Sequence, residues 1–323
     1  MNHATRHRLG ILLRVLLVAG CLGYAFWNVD LGGLAGALAG IDPLRVVAAL
    51  LLSGVSYLLL AVRLRVLTHG RAGIASGLAA TLLCLGLNNL MPARLGEVAK
   101  AVYLQRRHAM QLSEAALVVG WERFFDVNLL VLLALASAYP YLQDTLLLPL
   151  AGGLLLAWAG TWAVIRYPGP VRELIRRLPW PRVSRFLHEV HAHLDTRCVR
   201  GTLLGTALLS ALLWTAHALV SVLVLLWVCQ LPLAPEQALV VFIVAATGMA
   251  VPSSPGALGV YEAVVVAALG WFAVDKAPAL AAALVMHGLQ YLPTTLAAVA
   301  VLARTRIRPS RLAAGEFPRG RQG

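Results

Sequence analysis

The stretch Asn88-Asn89-Leu90-Met91-Pro92-Ala93-Arg94-Leu95-Gly96-Glu97-Val98-Ala99-Lys100 sets Arg, Glu and Lys beside Pro and Gly, between long apolar runs. Charge is costly in hydrocarbon, and where a sequence keeps it there it marks function. Arg94 is the side chain type that grips a phosphate with two parallel hydrogen bonds; its other reading is a lock onto neighbouring helices. Arg94 and Glu97, and Glu97 and Lys100, stand at i and i+3 and so share a helix face. Asn88 and Asn89 can cap a helix start or hydrogen-bond a headgroup. Further along, Glu122 and Asp126 align at i and i+4, and Arg123 reaches Asp126 at i and i+3. Pairing of Arg123 with Glu97 or Asp126 is the internal solution expected of such charges. The carboxylates left over, among Glu97, Glu122 and Glu262, are candidates to meet a cationic headgroup or to carry a proton.

The first stretch has an echo. In Pro252-Ser253-Ser254-Pro255-Gly256-Ala257-Leu258-Gly259-Val260-Tyr261-Glu262 the pattern Pro-x-x-Leu-Gly recurs, Pro92/Leu95/Gly96 matching Pro255/Leu258/Gly259. Two Gly/Pro-interrupted apolar segments at corresponding places of two halves point to a midplane binding site between inverted repeats. Outgoing helices starting at Pro92 and Pro255 would aim free N–H groups and a partial positive charge at that site, which suits an anion. Ser253, Ser254, Gly256 and Glu262 are the candidate contacts from the second tip, as Asn88, Asn89, Arg94, Glu97 and Lys100 are from the first.

Other chemistry finds little support. No nucleophile elbow and no phosphate loop occurs, so no catalytic residue is assigned. His188, Glu189, His191 and His193 read His-Glu-Val-His, which is not the spacing of a zinc helix, and no metal or other cofactor is expected. His217 and His287 stand alone in apolar runs and read as core histidines. Cys21, Cys84, Cys198 and Cys229 are isolated and read as small apolar core residues.

These residues need elements to hold them, and composition says which. Of 323 residues, 60% are hydrophobic and only 13% charged, and the mean hydropathy is +0.78. That is an integral membrane protein, with no interval long enough for a soluble catalytic domain. The net charge of +13 does not imply nucleic acid, because Arg gathers in short loops beside apolar runs and faces the anionic inner leaflet instead. Arg6, Arg8 and Val18-Ala19-Gly20-Cys21 resemble a lipoprotein signal, but the apolar run continues to Trp27 and reads as an uncleaved first helix.

In order, the expected crossings are Leu9–Trp27, Pro43–Val62, Ala115–Ala138, Leu146–Ile165, Gly201–Gln230 and Pro278–Ala303, with 31–41 a Gly-rich connection. Arg63, Arg65 and Arg71 mark the inside, as do Arg106 and Arg107. The apolar run between those two groups therefore enters and leaves on one side, a re-entrant hairpin over 73–108; a second hairpin spans 237–274. Of the 27 Lys and Arg, only Arg45 and Lys276 fall at outside ends. The expected fold is an all-α polytopic protein of six transmembrane helices and two re-entrant hairpins in an inverted repeat. Its first repeat is 1–138 and its second 139–303, followed by a basic cytoplasmic tail, 304–323. Within the second repeat, 166–200 reads as basic amphipathic helices on the cytoplasmic surface, broken at Pro179 and Pro181.

The runs Leu87 to Glu97, Glu122-Arg123-Phe124-Phe125-Asp126 and Pro252 to Glu262 resemble, in that order, the lysylphosphatidylglycerol synthase transmembrane-region family. That family includes the flippase part of the bacterial multiple peptide resistance factor. The resemblance implies a polytopic lipid-handling protein of the bacterial inner membrane, with Arg94, Glu97, Glu122, Arg123, Asp126 and Glu262 on the family's polar positions. The resistance factor continues into a cytosolic aminoacyl-transfer domain, whereas this sequence stops at Gly323; another protein is then expected to make any aminoacylated lipid. Other relatives look tied to hopanoid or polyprenyl-linked glycolipid pathways. The resulting expectation is a translocase of a polar-headgroup lipid, anionic or aminoacylated, and not an enzyme. Its termini are cytoplasmic, and its partners are membrane lipids, with a second copy or a separate lipid-modifying enzyme open. The alternative is a membrane-embedded transferase with Glu97 or Glu262 as acid or base, or an accessory subunit of lipid-linked synthesis.

Overall fold

Long apolar runs can satisfy their backbone in hydrocarbon only as helices or closed barrels, and the Leu- and Ala-rich runs here have the composition of helices. The computed structural model describes residues 3–91, 95–137, 144–194, 196–249 and 254–305. Among these residues the regular elements are all helical, with thirteen α-helices and no strand. In chain order they are α1 (His3–Phe26), α2 (Leu31–Ala39), α3 (Pro43–Leu67), α4 (Ile74–Leu90), α5 (Leu95–His108), α6 (Leu112–Ser137) and α7 (Asp144–Arg166). There follow α8 (Pro168–Arg176), α9 (Pro181–Ala192), α10 (Thr196–Leu223), α11 (Pro235–Gly248), α12 (Val260–Gly270) and α13 (Lys276–Thr305).

Four of these are long and apolar enough to cross a bilayer, over Pro43–Leu67, Leu147–Arg166, Thr202–Val228 and Lys276–Arg304, and α1 with α2 makes a fifth if their 81° bend is one broken span. The chain is thus a multi-pass membrane protein. α6 has the length of a span at 26 residues but carries Glu114, Glu122, Arg123 and Asp126. Three apolar helices are short: α4 has 17 residues, α11 has 14 and α12 has 11, or roughly 26, 21 and 16 Å at 1.5 Å per residue, against a hydrocarbon core of about 30 Å.

Two details differ from the sequence expectation. The 31–41 connection is mostly helix, because the Asp30 carboxylate accepts from the amides of Gly32 (3.0 Å) and Gly33 (2.9 Å) and so caps α2. The second outgoing helix begins at Val260 and not at Pro255. Pro255–Ala257 form only a 3-10 turn, since Gly256 (φ 64°), Ala257 (φ 56°) and Gly259 (φ 85°) are left-handed and cannot continue a helix.

The chain divides into two compact units. The first comprises Met1–Tyr57, Leu82–Gly96 and Thr215–Arg304. Its centre is α12, apolar but for Glu262 and buried on nearly every face; α11 and α1 pack on it. The second comprises Leu58–Thr81 and Glu97–Trp214, with α7 and α9 on α6 and α8 on α9. Pro168 and Pro181 open α8 and α9 at their first helical positions. Leu174, Trp180, Val183 and Phe186 are exposed there among arginines.

Candidate functional site

The polar side chains of the apolar helices fall into two groups, one in each unit. In the first unit, Asn88 near the end of α4 accepts a hydrogen bond from the Gly96 amide at 2.8 Å, which caps the start of α5. Gly96 permits this, because a Cβ there would collide with the carbonyl oxygen of Cys84. Asn89 points to α13 instead. Its amide nitrogen donates towards Thr294 Oγ1 (2.9 Å), Thr295 Oγ1 (3.0 Å) and the Tyr291 carbonyl (3.3 Å). Pro293, beside these threonines inside α13, has no N–H to give to the helical ladder. Tyr291 returns the contact, its hydroxyl donating to the Asn89 carbonyl at 3.2 Å.

The tip of the second broken segment reaches the same place. A Cβ at Gly256 would lie 3.3 Å from the Cα of Asn89 and would collide with the Tyr291 ring. Glu262, three residues into α12, accepts from the Gly259 amide at 2.7 Å and so caps its own helix. Its other oxygen lies 2.6 Å from Nδ1 of His287, and Nε2 of His287 lies 3.0 Å from the Gly256 carbonyl. Both side chains are buried. The named amides at the two helix starts are therefore engaged by Asn88 and Glu262. Ser254 donates to the Leu258 carbonyl at 2.7 Å and closes the turn.

The second unit buries an ion network. Arg63 on α3 is fully buried (0% exposed) and grips both oxygens of Asp126 on α6, at 2.6 and 3.3 Å. It also reaches Ser210 on α10 at 3.1 Å and stands 3.8 Å from Glu122. Lys100 on α5 donates to both Glu122 oxygens, at 2.9 and 2.7 Å, and approaches Thr81 on α4 at 3.4 Å. Trp214 donates to Asp126 at 3.2 Å, and Arg123, partly exposed, pairs with the same carboxylate at 3.0 Å. Buried charges persist only when paired and hydrogen-bonded, and this network ties α3, α4, α5, α6 and α10 together. One Glu97 oxygen is buried without a hydrogen-bond partner among the described residues.

Set against the sequence expectations, Arg123 pairs with Asp126, Asn88 caps, and Asn89 bonds to protein. Lys100 meets Glu122 rather than its helical neighbour Glu97. Arg63 is corrected: it is not a marker of the cytoplasmic surface but the centre of the buried network. Its charge pattern gave no warning, since Arg65 two residues on is exposed and both sit near the end of one helix. His287 is not a lone core histidine but the partner of Glu262. The clue was spacing on paper only, a titratable residue in each of two apolar helices far apart in sequence. Pro92, Arg94 and Ser253 lie outside the described residues.

At the surface of the second unit, His193 lies 3.2 Å from Gln111 and 3.4 Å from Ser113, which fastens the end of α9 to the start of α6. Burial, with Arg172 and His188 nearby, holds the neighbouring His191 imidazole below its usual pKa. An apolar cleft of about 560 Å³ is lined by Val62, Val66 and Ile74 together with Arg65 and His69.

Comparison with curated proteins and with solved structures finds no match. The sequence profile described as the lysylphosphatidylglycerol synthase TM region, in contrast, matches residues 11–298, most of the chain and all of the polar residues above. With its apolar helices, broken segments and buried charges, this protein belongs to the lysylphosphatidylglycerol synthase transmembrane-region family.

Proposed function

We propose that this protein is a lipid translocase that moves a polar-headgroup lipid, anionic or aminoacylated, between the leaflets of a bacterial inner membrane. The observation that carries the reading is the meeting of two broken helices at Asn89 and Gly256 inside a protein of mostly apolar helices. Broken backbone at membrane depth is tolerated where it is buried in protein or lines a cavity, and in transporters it surrounds the substrate. In this reading six crossings and two re-entrant hairpins form an inverted repeat with both termini cytoplasmic. Arg94, at the first tip, grips the lipid phosphate. Membrane lipids are the partners, and a second copy or a lipid-modifying enzyme is the protein partner to look for.

The reading is tested by reconstituting the protein in liposomes with headgroup-labelled phosphatidylglycerol or lysyl-phosphatidylglycerol and measuring arrival of the label in the opposite leaflet. Faster transfer than in protein-free liposomes is expected. No transfer of either lipid by folded protein would overturn it. The second reading, a membrane-embedded transferase or an accessory subunit of aminoacyl-lipid, lipid-linked glycan or hopanoid synthesis, draws on the Glu97 oxygen without a partner among the described residues as a base. It predicts a covalently altered lipid in the same liposomes.

A further inference from the structure

The Glu262–His287 pair can be read by counting protons. The Gly256 carbonyl only accepts, so Nε2 of His287, 3.0 Å away, carries a hydrogen. Nδ1 of the same ring is 2.6 Å from Oε1 of Glu262, and the other carboxyl oxygen already accepts from the Gly259 amide at 2.7 Å. Two lone pairs cannot face each other at 2.6 Å, so a proton lies between Nδ1 and Oε1. The pair therefore holds one proton more than a neutral imidazole beside a carboxylate. That count is the same whether the proton is drawn on the ring or on the acid.

Removing that proton to water leaves one ring hydrogen for two acceptors. If it stays on Nε2, the Nδ1 lone pair opposes the Glu262 carboxylate; if it moves to Nδ1, the Nε2 lone pair opposes the Gly256 carbonyl. One contact must be lost in either case. The contact to Glu262 steadies the start of α12, and the contact to Gly256 holds a turn in which Ala257 is at φ 56°, a conformation that costs a non-glycine residue and needs outside support.

We propose that the Glu262–His287 pair is a proton-binding site that holds the turn at 254–259 closed when occupied and releases it when empty. Glu262 and His287 make no ion pair other than their own among the described residues. The titratable side chains on the packed elements near them are Tyr261, whose ring is 4.5 Å from the imidazole, and Tyr291, at 5.5 Å. α1 brings Cys21, and α11 brings Glu236, which stands in its first turn, about 18 Å of helix from the tip. Among the described residues, no second charge therefore substitutes for the lost proton. The proposal concerns the tip itself and stands whether or not a lipid is moved.

The test is a nitroxide at Leu258→Cys, an exposed residue of the turn, in full-length protein in nanodiscs with Cys21, Cys84, Cys198 and Cys229 replaced by Ser. A control label goes at Leu296→Cys, exposed on α13. Label mobility is read by electron paramagnetic resonance as the pH is raised from about 5 to about 8. The Leu258 label should pass from mostly immobile to mostly mobile in one single-proton step as pH rises, with the Leu296 label unchanged. His287→Gln should remove the step, and so should Glu262→Gln, which preserves the cap on Gly259. A wild-type curve flat over the interval, a step shared by the control label, or a step surviving in both variants would overturn the proposal. Because the wild-type curve decides by itself, a variant that fails to fold does not rescue it.

Discussion

Arg63 joins Asp126, Glu122 and Ser210 across three helices, and its removal would take from the buried Asp126 its two-pronged partner, leaving it Arg123 and Trp214. Breaking one side of such a pair costs about 3–5 kcal/mol. Arg63→Ala should therefore lower the unfolding temperature strongly in a detergent melt, while Arg65→Ala, on an exposed position, should stay within about 0.5 kcal/mol of the parent. Equal effects of the two would remove Arg63 from the centre of the network. The sequence separates these arginines poorly, because both stand among the basic residues at one end of an apolar run, where the positive-inside pattern accounts for either. It was more informative at Asn88, whose capping role follows from residue type and from Gly96 nearby. It was least informative at His287, 25 residues from Glu262, where only the folded chain supplies the meeting.

At the level of elements, close approach explains the glycines of the broken segments. A side chain at Gly96 would strike the Cys84 carbonyl, and one at Gly86 would strike Ala298 and the Thr294 carbonyl, whereas Gly160 on α7 has nothing within 4 Å. Gly96→Ala and Gly86→Ala should thus destabilise or prevent folding, while Gly160→Ala should be neutral or stabilising by up to about 1 kcal/mol from helix propensity. Thermal melts of the three variants check this, and a tolerated Gly96→Ala would dissolve the close contact of α4 and α5. The α9 helix carries a pH prediction. His191 is buried, and its folded pKa is lowered by that burial and then by Arg172 and His188. A lowered histidine pKa means the unfolded chain binds the proton more readily, so stability is full above the unfolded pKa of about 6.5 and falls as pH drops below it. The protection of α9 against hydrogen exchange, taken relative to the intrinsic amide rate at each pH, should fall below that pH, and His191→Leu should flatten the dependence; an unchanged profile in the variant would contradict it. The amphipathic pattern of α8 and α9, with prolines at their starts, was plain in the sequence. The helix α2 was not, because its Gly and Ala content hides a helix that one carboxylate cap and tertiary packing suffice to hold. That Pro255 opens only a turn and not the outgoing helix was hidden for a related reason, since the left-handed Gly256, Ala257 and Gly259 act only through backbone conformation.

For the whole molecule, hydropathy suffices to read a helical multi-pass protein, and family membership follows from motifs spread over residues 11–298. The span count is harder to read, since α6 combines the length of a crossing with four charges and α1 and α2 are bent by 81°. Neither a buried ion network nor a bend is encoded in average hydropathy. The central claim of the functional account is that a lipid headgroup passes through the tips of the broken segments with Arg94 on its phosphate. The measurement that tests it most directly is the rate of phosphatidylglycerol headgroup transfer in liposomes for wild type against Arg94→Ala, at matched folding and protein density. Loss of a charge-assisted phosphate contact worth about 1.5–3 kcal/mol predicts a rate at least about tenfold lower. A variant that moves the lipid as fast as wild type would contradict the account.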